Sequence, residues 1–494
     1  MVVDSVNKSE NSSEVDDKHL EAGNFRGGGD EPGKAIVYSA TEKAVLRKIW
    51  LRIMPLACII TFLQWIDKYT LNMSAVLGIK EDANINTTQF NFLGSLFYLG
   101  YLVIQIPNTY LLQVVPISKF LGVLLILWGV VLACMSQGHD FSSLGGMRFV
   151  LGLLEGGSYP SVFLLVATVF RRHELSTAIG ALWIANGFAS TFGGLIGYGS
   201  ATLSGRYGMA GWQWIFLIFG VITVFVGLLT LFLLVDTPFH KFLQLTAEEE
   251  EVVKERLRDN AVVPTKEFKW SHIFEALREL RFYALVLSSM FMMITNGFFT
   301  IYSSSLVASF GFSGLDSVLL QMPNGFISLL SVIVAMWASR RFNQLIYVAV
   351  GALSVSGLGL IVTMAIPSGR VKILGTILIH TYGAGYCMLL SVISANVSGY
   401  TKKIWYQGAQ LIFYTIGNFV GPFLMTSTSG PRYLGPLGGY LACNICASLL
   451  LLTARFLMAR DNQRKRSQPG FQQAKRDITS NLTDQEDPNF LYRL

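Results

Sequence analysis

The chain has 494 residues, of which 52% are hydrophobic, 13% aromatic and only 14% charged, and its mean hydropathy is +0.48. Soluble domains carry roughly 25% charged residues, so a water-soluble fold could not hide this much apolar surface. The net charge of +7 and pI near 9.0 do not point to nucleic acid, because the basic residues fall in short clusters between long apolar runs, as in the loops of membrane proteins.

Residues 1–49 are polar and acid-containing, with Gly27-Gly28-Gly29, and are expected to form a cytoplasmic tail without a cleavable signal peptide. From Leu51 the chain turns apolar, and this segment is expected to serve as an internal signal anchor. A helix needs about 20 mostly apolar residues to cross a bilayer. Such runs fall near 51–75, 89–112, 118–137, 143–169, 176–198 and 213–235. A second set follows near 282–308, 315–338, 345–366, 372–396, 405–428 and 435–458.

The expected architecture is therefore an all-α membrane protein with twelve transmembrane helices. Six belong to a bundle over 50–236 and six to a bundle over 282–458. A hydrophilic cytoplasmic linker covers 237–281, and a second cytoplasmic tail covers 459–494. The linker carries Glu248-Glu249-Glu250-Glu251 and then Lys254, Arg256 and Arg258 at helical spacing. This acidic helix and the Ser- and Asn-rich tails are expected to be solvated and partly disordered.

An even number of spans puts both tails on one side. Arg171-Arg172, Arg340-Arg341, Lys402-Lys403 and Arg464-Lys465-Arg466 all fall on that side, which the positive-inside rule makes cytoplasmic. The opposite loops hold fewer basic residues, Lys80, Arg206, Arg370, Lys372 and Arg432. Asn86-Thr87-Thr88 is a glycosylation sequon on that outer face. All five cysteines lie in apolar stretches without metal-ligand spacing and read as small core residues.

Glycine and proline interrupt several spans. Gly145-Gly146, Gly152, Gly156-Gly157 and Pro160 lie in the fourth, Gly187, Gly193-Gly194 and Gly197 in the fifth, and Gly417, Gly421 and Pro422 in the eleventh. Small residues let helices approach closely, and breaks permit bending.

A charge at mid-bilayer costs roughly 2.5–3.5 kcal/mol on insertion scales, so each one needs a reason. In the first span Gln64, Asp67 and Lys68 share one helix face at i, i+3 and i+4. The adjacent Asp and Lys could neutralise one another or could form a binding and coupling pair. In the fourth span Arg148, Gly152, Glu155 and Tyr159 form a stripe at i, i+4, i+7 and i+11. Arg148 and Glu155 sit about 10 Å apart by helical rise, so each is expected to meet a partner on another helix. A low-dielectric surrounding penalises a carboxylate, which makes Glu155 a candidate proton-coupling residue, with Asp67 as the other. Arg148 could attract an anion or lock two helices together.

The second half carries uncharged polar groups instead. Asn296 and Thr300 lie in the seventh span, His380 in the tenth, and Gln407, Gln410, Tyr414 and Asn418 along one face of the eleventh. The candidate substrate-binding set is therefore Gln64, Lys68, Arg148, Tyr159, Asn296, Gln410, Tyr414 and Asn418. No metal cluster, phosphate-cradling glycine loop or Ser-His-Asp constellation emerges, so neither an enzyme nor an ATP-driven pump is expected. The driving force is expected to be a proton gradient, without a cofactor.

Over about residues 45–460 the chain resembles the major facilitator superfamily, and within it the fungal allantoate-permease branch of the anion:cation symporters. Asp67-Lys68-Tyr69-Thr70-Leu71-Asn72, followed by Gly78-Ile79-Lys80-Glu81-Asp82, resembles that branch's first-span signature. The run from Arg148 to Gly157, with Tyr159-Pro160 and Arg171-Arg172-His173-Glu174, is similar to its fourth-span motif. Gly211-Trp212-Gln213-Trp214-Ile215-Phe216, Asp236-Thr237-Pro238, Leu245-Thr246-Ala247-Glu248-Glu249 and Gly430-Pro431-Arg432-Tyr433 also fit.

The resemblance implies two bundles around a central cavity, alternating access, and import of a small organic anion with protons. It gives Lys68 and Arg148 roles in anion handling and makes Glu155 the fourth-span acid. The seventh span lacks the basic residue of vesicular glutamate relatives, which favours a monoanion or mixed polar molecule over a dicarboxylate. Allantoate-like ureides, vitamin carboxylates, small peptides and sulfur-containing acids fit this class. The plasma membrane is the expected location, with the protein a monomer in the lipid bilayer. The runner-up is an exporter on the same fold, although the fifth span lacks the Gly-Pro pair usual in exporters.

Overall fold

A computed structural model describes residues 39–494 apart from 171, 236–240, 260–268, 367–368, 426–432, 469–481 and 489. Residues 1–38, Asp236-Thr237-Pro238 and Gly430-Pro431-Arg432 of the sequence reading lie outside the described residues. The described chain is helical, and ten of its helices are long and apolar enough to cross a membrane. The other two expected spans are the 28-residue helix Thr87–Val114 and the 21-residue helix Tyr400–Val420. Both carry polar side chains at helical spacing, Asn91, Ser95 and Gln105 in one and Gln407, Gln410 and Asn418 in the other.

Helix limits follow local chemistry. Ser39 caps the short helix Ala40–Arg52 by accepting from the Glu42 N–H at 3.0 Å. The first span, Met54–Val76, then starts with Pro55 in its opening turn, where a missing N–H costs nothing. Asn86 and Gln89 close a capping box at the start of the second span, at 2.8 and 3.0 Å. Asp140 caps the fourth span, accepting from the Ser143 N–H at 3.2 Å.

The spans form two six-helix bundles, and polar groups are found inside while large apolar side chains face out. Phe225, Phe232, Trp337, Leu449 and Phe456 are exposed, whereas Gln64, Asp67, Lys68, Arg148 and Glu155 are buried. This inverted pattern is what a lipid solvent requires. Within the first bundle the second and fourth spans nearly touch. A Cβ on Gly152 would stand 1.9 Å from the Phe97 carbonyl oxygen, and one on Gly100 would stand 2.2 Å from that of Phe149.

The bundles meet on the side remote from the chain termini. Asn72 of the first span donates to Ser303 Oγ at 2.6 Å and accepts from the Ser304 N–H at 2.9 Å in the seventh span, Leu280–Ala308. In the second span Asn91 accepts from the Tyr302 hydroxyl and donates to the Met425 carbonyl at 3.2 Å, while Ser95 donates to the Phe419 carbonyl at 2.8 Å. The far side is thereby held shut.

Several expectations on the termini side need correction. The acidic helix Ala247–Asp259 is not simply solvated. Its Glu249 pairs with Lys48 at 2.6 Å, and its buried Arg256 pairs with Glu174 at 2.5 Å and Glu42 at 3.2 Å. The eleventh span begins at Tyr400 rather than near 405, so Lys402 lies within a helix, fully buried. The end of the C-terminal tail, residues 482–488 and 490–494, packs against the second bundle instead of trailing into solvent. Local polarity predicts solvation because the partners that bury these residues are distant in sequence.

Candidate functional site

From Ile66 to Ser74 every residue of the first span is buried, including Asp67, Lys68, Thr70, Asn72 and Ser74. A helix polar on several faces and buried throughout must divide its polar groups among different neighbours. Successive residues point about 100° apart, and Asp67 and Lys68 accordingly part company.

Asp67 turns into the first bundle. Its Oδ2 accepts from the Trp128 indole N–H at 2.5 Å and its Oδ1 from the Thr70 hydroxyl at 3.4 Å. Arg148 closes the same group from the fourth span, donating to Thr70 Oγ1 at 3.5 Å, interacting electrostatically with Asp67, and lying 5.7 Å from the Phe216 ring centroid. This cluster ties the first, third, fourth and sixth spans together.

Lys68 turns the other way. Its Nζ lies 3.2 Å from Glu155 Oε1 and sits over the rings of Tyr101 and Tyr159 at 5.6 and 5.5 Å. Tyr98 and Tyr414 are within its electrostatic reach. Arg148 and Glu155, spaced apart on the fourth span, thus each meet the first span. Gln64 donates to the Glu155 backbone carbonyl at 3.4 Å, and the Tyr159 hydroxyl accepts from Asn186 at 2.6 Å.

Glu155 ends the helix Phe141–Glu155, and the fourth span resumes at Ser158. The intervening Gly156-Gly157 leaves the carboxyl at a helix break. Glu155 is 0% exposed, and neither of its carboxylate oxygens has a hydrogen-bond partner of good geometry among the described residues. Gln64 Oε1 and Arg148 Nε share that condition. A buried polar atom left unpaired is expensive, and its persistence calls for an explanation such as an exchangeable ion or ligand.

The second bundle contributes neutral polar groups. Gln410 donates to the Tyr386 hydroxyl at 2.5 Å and to Ser289 at 3.3 Å, and Tyr414 packs its ring 5.7 Å from that of Tyr386. Asn296 donates to Asn418 Oδ1 at 2.6 Å and accepts from the Tyr382 hydroxyl at 2.6 Å, while Asn418 donates to the Tyr414 carbonyl at 2.9 Å. Tyr414 and Gln410 therefore share the region that Lys68 faces, whereas Asn296 and Asn418 bond to each other and to Tyr382 and the Tyr414 backbone. His380 packs against Phe299 and donates its Nδ1–H to the Thr376 carbonyl at 2.8 Å, between the two helices of the tenth span.

Sequence reasoning passed over Trp128 and the tyrosines at 98, 101, 382 and 386. The signal was available, since Tyr98, Tyr101 and Gln105 recur at i, i+3 and i+7 and Tyr382 and Tyr386 at i and i+4. Tyrosine hides in a hydropathy scan because its ring satisfies an apolar window while its hydroxyl remains a handle.

Asp67, Lys68, Arg148 and Glu155 carry two positive and two negative charges when ionised. An entering monoanion would unbalance that set by one. A proton on Glu155 would restore neutrality and free Lys68 from its pair.

Comparison with known proteins gives a concordant picture. The description "Major Facilitator Superfamily" matches residues 57–426. Allantoate permease of Saccharomyces cerevisiae is 29% identical over 94% of this chain and 89% of its own. The thiamine pathway transporter of the same yeast is 29% identical over 91% of this chain and 86% of its own. Among solved structures, a bacterial homologue of the human lysosomal transporter Spinster, inward-facing and unoccupied, superposes with a TM-score of 0.63 at 16% identity, covering 86% of this chain and 99% of that one. This chain therefore belongs to the Major Facilitator Superfamily and is a multi-pass membrane transporter of the fungal type that includes allantoate permease.

Proposed function

We propose that this transporter imports a small organic monoanion together with a proton by alternating access. The observation that carries the reading is the buried Lys68–Glu155 pair at 3.2 Å, in which neither carboxylate oxygen has a hydrogen-bond partner of good geometry among the described residues. Lys68 receives the anion, with Tyr159, Gln64, Tyr414 and Gln410 around it, while Glu155 takes up the proton. Asp67 and Arg148 hold the first span in place from behind and set the local potential. Neutralising the site lowers the cost of moving it through a low-dielectric barrier and permits the bundles to rock.

The substrate class is that of ureides such as allantoate, vitamin carboxylates, small peptides or sulfur-containing acids. The name of the yeast allantoate permease, 29% identical, supports the first of these. The basic loops support a plasma-membrane orientation with both termini cytoplasmic.

The test is uptake of a panel of labelled organic acids into transporter-deficient yeast expressing the chain, at external pH 5 and 7.5, with and without a protonophore. One acid should accumulate faster at pH 5 and lose that uptake with the protonophore. Surface-localised protein that accumulates no acid, and instead speeds efflux of preloaded compounds, would replace the import reading with export.

A further inference from the structure

Residues 482–488 and 490–494 form a strap across the termini-side ends of the second bundle. Asp484 is fully buried, with Oδ2 2.7 Å from Arg281 and Oδ1 3.0 Å from Lys402 Nζ. Tyr492 donates its hydroxyl to Asp484 at 2.7 Å and stacks under the Arg281 guanidinium at 4.4 Å. Asn462 of the twelfth span exchanges two hydrogen bonds of 2.8 Å with the Tyr492 backbone, and Asn396 of the tenth does the same with Arg493 at 2.6 and 2.8 Å. Lys465 donates to the carbonyls of Asp484, Asp487 and Phe490. The last residue reaches the ninth span, where the Leu345 N–H donates to the Leu494 oxygen at 2.8 Å.

Thr483 is the residue on which this docking turns. It is fully buried, donates its hydroxyl to Glu275 Oε2 at 3.0 Å, and accepts from the Glu486 N–H at 3.1 Å, while its own N–H donates to Glu486 Oε2 at 2.9 Å. Its charged contacts among the described residues are thus carboxylates. The nearby Lys402 is already shared by Glu275, Glu279 and Asp484 at 2.7, 2.5 and 3.0 Å, and Arg281 by Glu279 and Asp484. In sequence, Thr483 is followed by acids at positions +1, +3 and +4, in Thr483-Asp484-Gln485-Glu486-Asp487.

We propose that Thr483 is a phosphate-acceptor site for a protein kinase that reads acidic residues after its target, and that phosphorylation releases the strap. In the undocked strap the Thr483 oxygen attacks the γ-phosphorus of a nucleoside triphosphate. The bond to the β-phosphate oxygen breaks, the nucleoside diphosphate leaves, and the hydroxyl proton passes to the kinase base. The product carries nearly two negative charges and no hydroxyl donor. It cannot return to a pocket where Glu275 and Glu486 face it and where Lys402 and Arg281 are already paired with other carboxylates. The modification therefore traps the open strap by mass action. This inference is independent of the transported substrate.

The full chain in detergent, treated with an acid-directed serine/threonine kinase and ATP, is examined by mass spectrometry for phosphate at Thr483 and by carboxypeptidase trimming from Leu494. A Lys465→Ala chain, which loses three contacts to strap carbonyls while the recognition sequence keeps its own residues, is treated in parallel. Phosphate should appear on Thr483, faster in Lys465→Ala, and should accelerate trimming at least about tenfold, an effect worth about 1.4 kcal/mol. Thr483→Ala should abolish the kinase-dependent acceleration. The proposal is overturned if neither chain acquires phosphate on Thr483, or if Thr483 is phosphorylated and Leu494 stays protected.

Discussion

Lys68 pairs with Glu155 at 3.2 Å, whereas its chain neighbour Asp67 faces the opposite way and accepts from Trp128 at 2.5 Å. Two adjacent ionisable residues thereby take different buried partners, Lys68 the fourth-span carboxylate and Asp67 the third-span indole.

Lys68→Ala should abolish anion binding, measured on purified protein with the acid identified by uptake. Breaking a buried pair leaves the other charge stranded, at a cost of about 3–5 kcal/mol, so the single variant should also show reduced surface expression. Lys68→Ala combined with Glu155→Gln should recover expression without recovering binding. Unchanged affinity in either chain would remove Lys68 from the binding site.

Asp67→Asn keeps the shape of the side chain but weakens its ties to Trp128 and Arg148. It should lower the melting temperature in detergent while leaving the pH dependence of uptake in place. An Asp67→Asn chain of normal stability whose uptake no longer responds to pH would instead make Asp67 the proton carrier.

The contact of the second and fourth spans should tolerate no side chain at Gly152, where a Cβ would stand 1.9 Å from a backbone oxygen. Gly152→Ala should destabilise the fold by about 1–3 kcal/mol, the usual cost of overpacking, read as a lower melting temperature. Gly146→Ala, with nothing within 4 Å of the new carbon, is the control and should melt as the parent does.

The far-side closure rests partly on Asn72 and Asn91. Replacing both with alanine should shift the resting population toward a far-side-open state. Spin labels placed across the far-side ends of the first and seventh spans should then show a longer distance component. An unchanged distance distribution would show that apolar packing alone holds this side shut.

The strap has a defined acid limit. Burial alone pushes the Asp484 carboxyl up, but Arg281 and Lys402 outweigh it and hold it at about 2, against an ordinary 3.8. The docked state therefore gains its electrostatic contribution above pH 3.8 and loses it as the pH falls from 3.8 through about 2. A spin label at position 488 should stay immobilised down to pH 4 and become mobile below it. Release near neutral pH would contradict the pairing.

Much of the architecture was legible because the bilayer demands long apolar helices and tolerates buried charge only at selected places. The stripe of Arg148 and Glu155 was visible for that reason, as was their need for partners elsewhere. The division between Asp67 and Lys68 was not, because successive residues of a helix point about 100° apart and their separate partners, Trp128 and Glu155, lie on different spans. The strap was hidden more deeply. Asp484 reads as one acid in a polar tail, and the residues that bury it, Arg281 and Lys402, lie in other spans and are assembled only by the fold. Asn296 and Asn418 show the converse, since polar residues that suggested substrate contacts bond to each other at 2.6 Å.

Proton coupling through Glu155 is tested most directly with Glu155→Gln in proteoliposomes, comparing uptake driven by an imposed pH gradient with exchange of labelled for unlabelled substrate. The glutamine matches the neutral carboxyl in shape but cannot release a proton. Gradient-driven accumulation should disappear while exchange persists. Loss of both activities in a properly folded chain would reduce Glu155 to a structural role, and accumulation at the parental level would exclude it as the proton carrier.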